Sequence, residues 1–177
     1  MGAKFLFWFA VSVTGSLYGA MAVWSLPTII SEANGLWPFD LRPTGYSFDE
    51  AREFLAALSD KGSDFYLNVQ QRLDKYFPFF LALTTGWAIF LLTPNMERRR
   101  RLLLTIIPIP GMIFDYMENT HVAGLLIAGQ NGITSQMVEL ASFYSRLKSG
   151  YVTLAFIVLL ILGIKWVMQR RRAANSV

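Results

Sequence analysis

The sequence predicts an all-α integral membrane protein, a four-helix bundle of four transmembrane helices with a short amphipathic helix on the outer side. Hydrophobic residues make up 54% of the 177 residues and charged residues 16%, against about 25% charged in ordinary soluble domains. Four apolar stretches are each long enough to cross a hydrocarbon core of about 30 Å as a helix. We therefore expect one membrane domain over residues 1–177.

The first apolar stretch fits two interpretations, an uncleaved span or a signal peptide with Lys4 as its basic start. Its apolar run exceeds the roughly 7–15 residues of a signal core, which favours a span. Gly15 and Gly19 in this stretch form a GxxxG pair, a spacing that lets another helix approach closely. We therefore expect spans over residues 5–24, 76–93, 102–128 and 150–168.

The basic residues predict the orientation of the spans. Arg98 to Arg101 follow the second span, and Lys165 and Arg170 to Arg172 lie at the end of the fourth. Arginine and lysine next to spans mark the cytoplasmic side, so both termini are expected there. Because these residues adjoin spans instead of covering a surface, we expect no nucleic-acid partner. Membrane lipid is the expected partner, together with other membrane subunits if the chain belongs to a complex.

Metal and thiol chemistry are limited by composition. The chain has no cysteine, which excludes disulfides and cysteine-bound zinc, and its one histidine, His121, excludes a histidine-rich metal site within one chain. We expect no metal, and the sequence identifies no cofactor. It contains no Ser-His-Asp order, glycine-rich phosphate loop or HExxH motif, so whether the protein is an enzyme stays open.

The outer-side segment, residues 25–75, contains the signature of a short amphipathic helix. Ser47 and Glu50 form a capping box, and apolar residues then recur at helical spacing until about Gly62. This helix either lies on the outer bilayer surface or packs on its own protein. Ser63 can cap a second helix that continues to Thr93. Thr134 or Ser135 can cap another that includes the fourth span.

Span 3 contains two unusual features. Pro108 and Pro110 each remove a helical hydrogen bond, which predicts a bend or break near mid-membrane. Asp115, Glu118 and Asn119 follow at spacing i, i+3 and i+4, so they share one helix face. That face cannot point at lipid, because each charge there would cost several kcal/mol.

Counting residues at 1.5 Å each indicates which side chains lie at the same depth. Tyr18, Lys75 and Tyr151 come out near the three polar residues of span 3, with Arg72 and Arg146 at the mouth of the cluster, and His121 comes out near Asp74, Lys75 and Lys148. The candidate ligand-binding residues are therefore Tyr18, Asp74, Lys75, Asp115, Glu118, Asn119 and His121.

Several interpretations of this polar cluster stay open. The carboxylates can pair with Lys75, Lys148, Arg72 or Arg146 and hold the bundle together. Alternatively the cluster handles a polar head group, a proton or a cation, or lets ions pass, because intramembrane acids are functional by default. A desolvated Asp115 or Glu118, with His121 as an alternative, could also act as a general acid or base.

The sequence from Gly45 onward resembles a loose group of small bacterial membrane proteins of uncharacterised activity. The resemblance is carried by Gly45-Tyr46, Tyr66 with Gln70, Asp74 before Phe77-Pro78, and the Asp-x-x-Glu-Asn motif at Asp115, Glu118 and Asn119. It implies four spans, a shared polar site and a bacterial inner membrane. Two functions fit: binding or acting on a lipid-like or head-group ligand, or serving as a non-catalytic accessory or assembly subunit of a larger membrane complex.

Reporter fusions test the predicted topology. A reporter joined after Val177 should be active only in the cytoplasm, and one inserted near Gly45 only outside, because the arginine runs hold their loops inside. An outside location for the C-terminal reporter would mean that the number of spans is wrong.

Overall fold

The computed structural model describes residues 2–175, so Met1, Ser176 and Val177, and with them the fusion point after Val177, lie outside the described residues. The described chain is almost entirely helical and contains no strand. Its helices are α1 (Gly2–Glu32), α2 (Phe48–Ala57), α3 (Asp60–Leu92), α4 (Arg98–Thr105), α5 (Pro108–Gly132) and α6 (Ser135–Asn175). A 3₁₀ turn, Phe39–Leu41, lies between α1 and α2.

Three of the described helices, α1, α3 and α6, are long and apolar enough to cross a membrane, which confirms the prediction of a helical membrane protein. The remaining predicted span, 102–128, is divided between α4 and α5. The division falls just before Pro108, which restricts the residue before it and lacks the N–H that a continuous helix would need. At the first turn of α5 the prolines are tolerated, so α5 continues through Pro110.

The outer-side helices follow the predicted caps with two differences. The capping box of Ser47 and Glu50 is present, but α2 ends at Ala57, before the expected Gly62. The cap of α3 is Ser59 instead of Ser63, because the Oγ of Ser59 accepts a hydrogen bond from the Gly62 N–H at 2.9 Å. At the start of α6, Thr134 accepts one from the Met137 N–H at 3.3 Å.

The buried apolar side chains gather around the segment predicted to lie on the outer side, and we call this group the outer core. Helix α2 contributes Ala51, Phe54 and Leu55, so this helix packs on its own protein. The outer core comprises Ile29, Ala33, Phe39, Tyr46, Ala51, Phe54, Leu55, Tyr66, Val122, Leu125, Leu126, Ile133, Val138 and Ala141. The opposite ends of the long helices expose large apolar side chains such as Phe5, Trp8, Leu160 and Trp166. This distribution is typical of helices whose solvent is lipid.

Two π-helical segments interrupt α1 and α3 at the level of the outer core. They are Met21–Ser25 and Tyr66–Gln70, and they pack against each other. The Ser25 hydroxyl donates to the Gln70 Oε1 at 2.5 Å, inside a buried contact. Pro27 follows the first segment, and its missing N–H explains why the hydrogen-bond ladder of α1 is irregular there.

Two glycines allow backbones to approach closely. Gly45 has a φ of +86°, and a Cβ there would lie 2.5 Å from the Ser142 Oγ of α6. Gly86 of α3 faces α4, and a Cβ on it would lie 2.7 Å from the backbone oxygen of Thr105. Since a backbone atom cannot swing aside as a side chain does, Gly86 fixes the distance between α3 and α4.

The Gly86 contact predicts a destabilising alanine. Gly86→Ala should lower the thermal unfolding midpoint, because overpacking costs about 1–3 kcal/mol. The higher helix propensity of alanine stabilises the helix by only about 1 kcal/mol. Gly163→Ala is the matched control, since a Cβ at Gly163 meets nothing within 4 Å. Equal midpoints for the two variants in the same detergent would contradict the contact.

Candidate functional site

Helix α5 places the polar residues of the third predicted span on its inward face. Asp115, Glu118 and Asn119 are only 2%, 1% and 7% exposed. Their i, i+3, i+4 spacing puts them on one side of the helix, as expected from the sequence. They lie one to two turns before Val122 and Leu125, so the polar group directly adjoins the outer core.

Lys148 of α6 bridges the two acids of α5. Its Nζ lies 3.0 Å from the Asp115 Oδ1 and 2.6 Å from the Glu118 Oε2. Ser145, one turn earlier on α6, donates its hydroxyl to the Glu118 Oε1. These contacts tie α5 to α6 by charge-assisted hydrogen bonds, which are about twice as strong as neutral ones.

Asp74 of α3 contacts Asn119 through a backbone oxygen that Pro78 leaves without a helical partner. Pro78 has no backbone N–H, so the backbone oxygen of Asp74, four residues earlier, lacks its helical partner. The Asn119 Nδ2 donates to that oxygen at 3.4 Å and to the Asp115 Oδ1 at 3.4 Å. The proline therefore creates an acceptor that links α3 to α5.

Asp40, in the 3₁₀ turn before α2, covers the cluster from the outer side. Its Oδ2 accepts the hydroxyl hydrogen of Tyr66, and its buried Oδ1 has no hydrogen-bond donor among the described residues. Burial, and then the negative charge of Asp74, raises the pKa of Asp40 to about 7. Both effects favour the protonated form of Asp40.

The carboxyl groups of this site outnumber its cations. We call Asp40, Asp74, Asp115, Glu118 and Lys148 the acidic cluster. Its four carboxyl groups, three of them buried and that of Asp40 half-buried, accompany a single ammonium group. In the described part of the chain, the buried Asn119 Oδ1 also has no hydrogen-bond donor. The cluster therefore has acceptor capacity for a cation or further protons.

A small apolar cavity adjoins Asp115 on the side away from the outer core. Its volume is about 10 Å³, about the space of one water molecule. Pro78 and Pro108 line it together with Gly111, where a Cβ would lie 3.3 Å from the Val152 Cγ2. The missing side chain at Gly111 thus lets α6 approach α5 beside the acids.

The structure brings four of the seven sequence-predicted site residues together: Asp74, Asp115, Glu118 and Asn119. Lys75 is exposed, and Tyr18, which is 62% exposed, packs its ring on Phe77 of α3. His121 stacks on Tyr144, with ring centroids 5.1 Å apart. Of the four basic residues considered as ion-pair partners, Lys148 forms the contacts, while Lys75, Arg72 and Arg146 are exposed.

Asp40, Tyr66 and Ser145 also belong to the site but were not predicted as site residues from the sequence. Asp40 lies in an irregular segment whose position no periodicity indicates. Tyr66 is fully buried in α3, and its pairing with Gln70 in the sequence was the one hint of a role. Ser145 is three residues before Lys148 on α6, so it faces the same side of the helix. That spacing could have identified it.

Two further findings bear on the site. Among the described residues, no three histidine, aspartate or glutamate side chains are placed to hold one metal ion. Comparison of the chain with protein-family models, with curated proteins and with solved structures found no match.

The raised pKa of Asp40 predicts a pH effect on stability. The folded state keeps a proton that the unfolded state, with an ordinary aspartate pKa of about 3.9, releases. Stability from this carboxyl should therefore fall as pH rises from about 4 to about 7. Asp40→Asn removes that loss, so its thermal midpoint relative to wild type should increase with pH. Glu53→Gln, at an exposed acid of α2, is the control, and parallel curves for Asp40→Asn and wild type would contradict the prediction.

Proposed function

We propose that this chain is a four-span protein that binds the cationic head group of a lipid-like amphiphile at the acidic cluster. Helix α5 is the fourth span in this proposal: from Pro108 to Ala128, before the non-helical Gly129, it extends about 31 Å. Its acids turn inward, which lets a helix with charged residues lie within a bilayer. The arginines of α4 and at the end of α6 support cytoplasmic termini. The Asp-x-x-Glu-Asn resemblance supports a bacterial inner membrane.

The observation that carries the proposal is that four carboxyl groups, three of them buried, accompany one ammonium group. Burying unbalanced charge costs far more than burying a matched pair, so a protein that keeps such a cluster needs protons or a cation in it. An ammonium head group supplies both a positive charge and several N–H donors. The Asn119 Oδ1, which has no donor among the described residues, can accept one of these N–H groups.

Lys148 indicates how such a ligand would reach the acids. Its side chain is 18% exposed, whereas those of Asp115 and Glu118 are 3% and 2% exposed, so the cluster meets the surface at the lysine. The lysine stem is long and flexible, so its ammonium can shift aside without unfolding the helix. A ligand ammonium that enters beside it adds a second positive charge next to Asp115 and Glu118.

The test uses protein in phosphatidylcholine nanodiscs with dodecylamine as the probe and dodecanol as its uncharged control. Dodecylamine should raise the thermal midpoint in a concentration-dependent way, and dodecanol should not. Glu118→Gln should weaken dodecylamine binding by about tenfold or more, because a hydrogen bond to a charged group contributes about 1.5–3 kcal/mol. Glu139→Gln, at an exposed acid of α6, should bind like wild type.

A different pattern would overturn the proposal. If the acids serve only as ion-pair partners, neutralising Asp115 and Glu118 together strands the Lys148 charge and costs about 3–5 kcal/mol of stability. The midpoint would then fall sharply in the Asp115→Asn, Glu118→Gln double variant and recover when Lys148→Met is added. That result, together with no difference between dodecylamine and dodecanol on wild type, would mean that the cluster is structural.

A further inference from the structure

An open apolar groove runs along the membrane part of the protein between α1, α3 and α6. Its volume is about 610 Å³, within the range of small-molecule sites. The lining residues are Val11, Thr14, Gly15, Tyr18, Phe77, Leu81, Thr84, Thr85, Ala88, Val152, Phe156 and Leu159. Bulk lipid can cover any such surface. What distinguishes this groove is its position relative to the acidic cluster.

On α6 the groove continues directly from the acidic cluster. Lys148, Val152, Phe156 and Leu159 follow one another at intervals of three or four residues, so they form one stripe on that helix. The cluster residue and the groove residues therefore share a face. From Lys148 to Leu159 the stripe extends about 16 Å along the helix axis.

The same continuity holds on α3 and through the small cavity. Asp74, Phe77, Leu81 and Thr85 also recur at intervals of three or four residues on α3. The cavity beside Asp115 shares several lining residues with the groove: Leu81, Thr85, Val152 and Phe156. The acidic cluster and the groove thus lie along the same faces of α3 and α6, and the small cavity beside Asp115 adjoins the groove.

The threonine hydroxyls within the groove are already satisfied by the protein. Thr14 donates to the Ala10 backbone oxygen at 2.8 Å, and Thr84 donates to that of Phe80 at 2.6 Å. The two threonine hydroxyls also lie 2.9 Å apart. Thr85 donates to the backbone oxygen of Leu81 at 2.7 Å. Apart from the Tyr18 hydroxyl, the groove therefore presents apolar surface.

We infer that this groove holds the alkyl chain of the amphiphile whose ammonium group binds the acidic cluster. The inference rests on the proposed function and adds to it the class of ligand: a lipid-like amine with a single chain, lying along α6 with its head group at Lys148. Tyr18 lines the groove near its cluster end, where its ring lies over Phe77. The chain would gain affinity from apolar burial and the head group from charge.

Gly15 provides a variant that blocks the groove without disturbing the fold. It lines the groove, and a Cβ added there meets nothing within 4 Å, so a phenylalanine side chain would fill open space. Gly163 is the matched control. It is equally open, but it lines a different membrane-facing groove, with Leu160 and Trp166. The thermal midpoints of Gly15→Phe and Gly163→Phe without ligand serve as the check on folding.

The experiment measures dodecylamine and ethylamine binding in nanodiscs for wild type and both variants. Gly15→Phe should weaken dodecylamine binding by about tenfold or more and leave ethylamine binding unchanged. Gly163→Phe should change neither. If Gly15→Phe binds dodecylamine like wild type, the groove assignment is wrong while the head-group site stands. If wild type binds neither amine, the proposed function itself fails, and this inference fails with it.

A photoreactive probe provides a second measurement on the unaltered protein. Dodecylamine with a diazirine at the end of its chain should label the end of the groove near Phe156 and Leu159, and excess dodecylamine should compete for that labelling.

 
Labelling spread evenly over the lipid-facing residues of α1, α5 and α6 would overturn the groove assignment.

Discussion

The contact of Lys148 with Asp115 and Glu118 sets the arrangement of the helices around it. Taking an ammonium and two carboxylates out of water is costly, and the cost is recovered only where the geometry is close. The 3.0 and 2.6 Å distances meet that condition and fix the rotation of α5 against α6. Once α5 is fixed, Asn119 faces α3 and the acceptor that Pro78 leaves on Asp74. The position of α3 therefore also depends on the cluster.

The cluster lies at a boundary between two environments. On one side the outer core packs Phe54, Tyr66 and Leu125 as tightly as a soluble domain would, and on the other the helices expose apolar side chains. Charges are expensive in the lipid and compete with packing in the core. At the boundary they are buried by protein on most sides, and one of them, Lys148, still reaches the surface. That location lets a site combine strong electrostatics with access from the membrane.

The sequence determined the parts of the site that depend on helical period, and missed the parts that depend on the loop and on helix rotation. Spacing alone placed Asp115, Glu118 and Asn119 on one inward face. Counting depth gave the right level for Lys75, yet Lys75 is exposed and its neighbour Asp74 is buried, because adjacent residues point about 100° apart on a helix. The depth of a residue along a helix does not determine the direction in which its side chain points. Asp40 lies in an irregular segment, where neither period nor depth applies.

Lys148 explains how the acids of α5 can be enclosed without a ligand. In the absence of the lysine, two carboxyl groups one turn apart would lie in a medium of low dielectric, which disfavours their charged forms. With the lysine, both have an ammonium group within 3.0 Å. One ammonium group does not match four carboxyl groups, so in the proposed complex the ligand ammonium adds to the charge of Lys148. Selectivity among amines then comes from the alkyl chain, because only an amine with a long chain also covers the apolar groove.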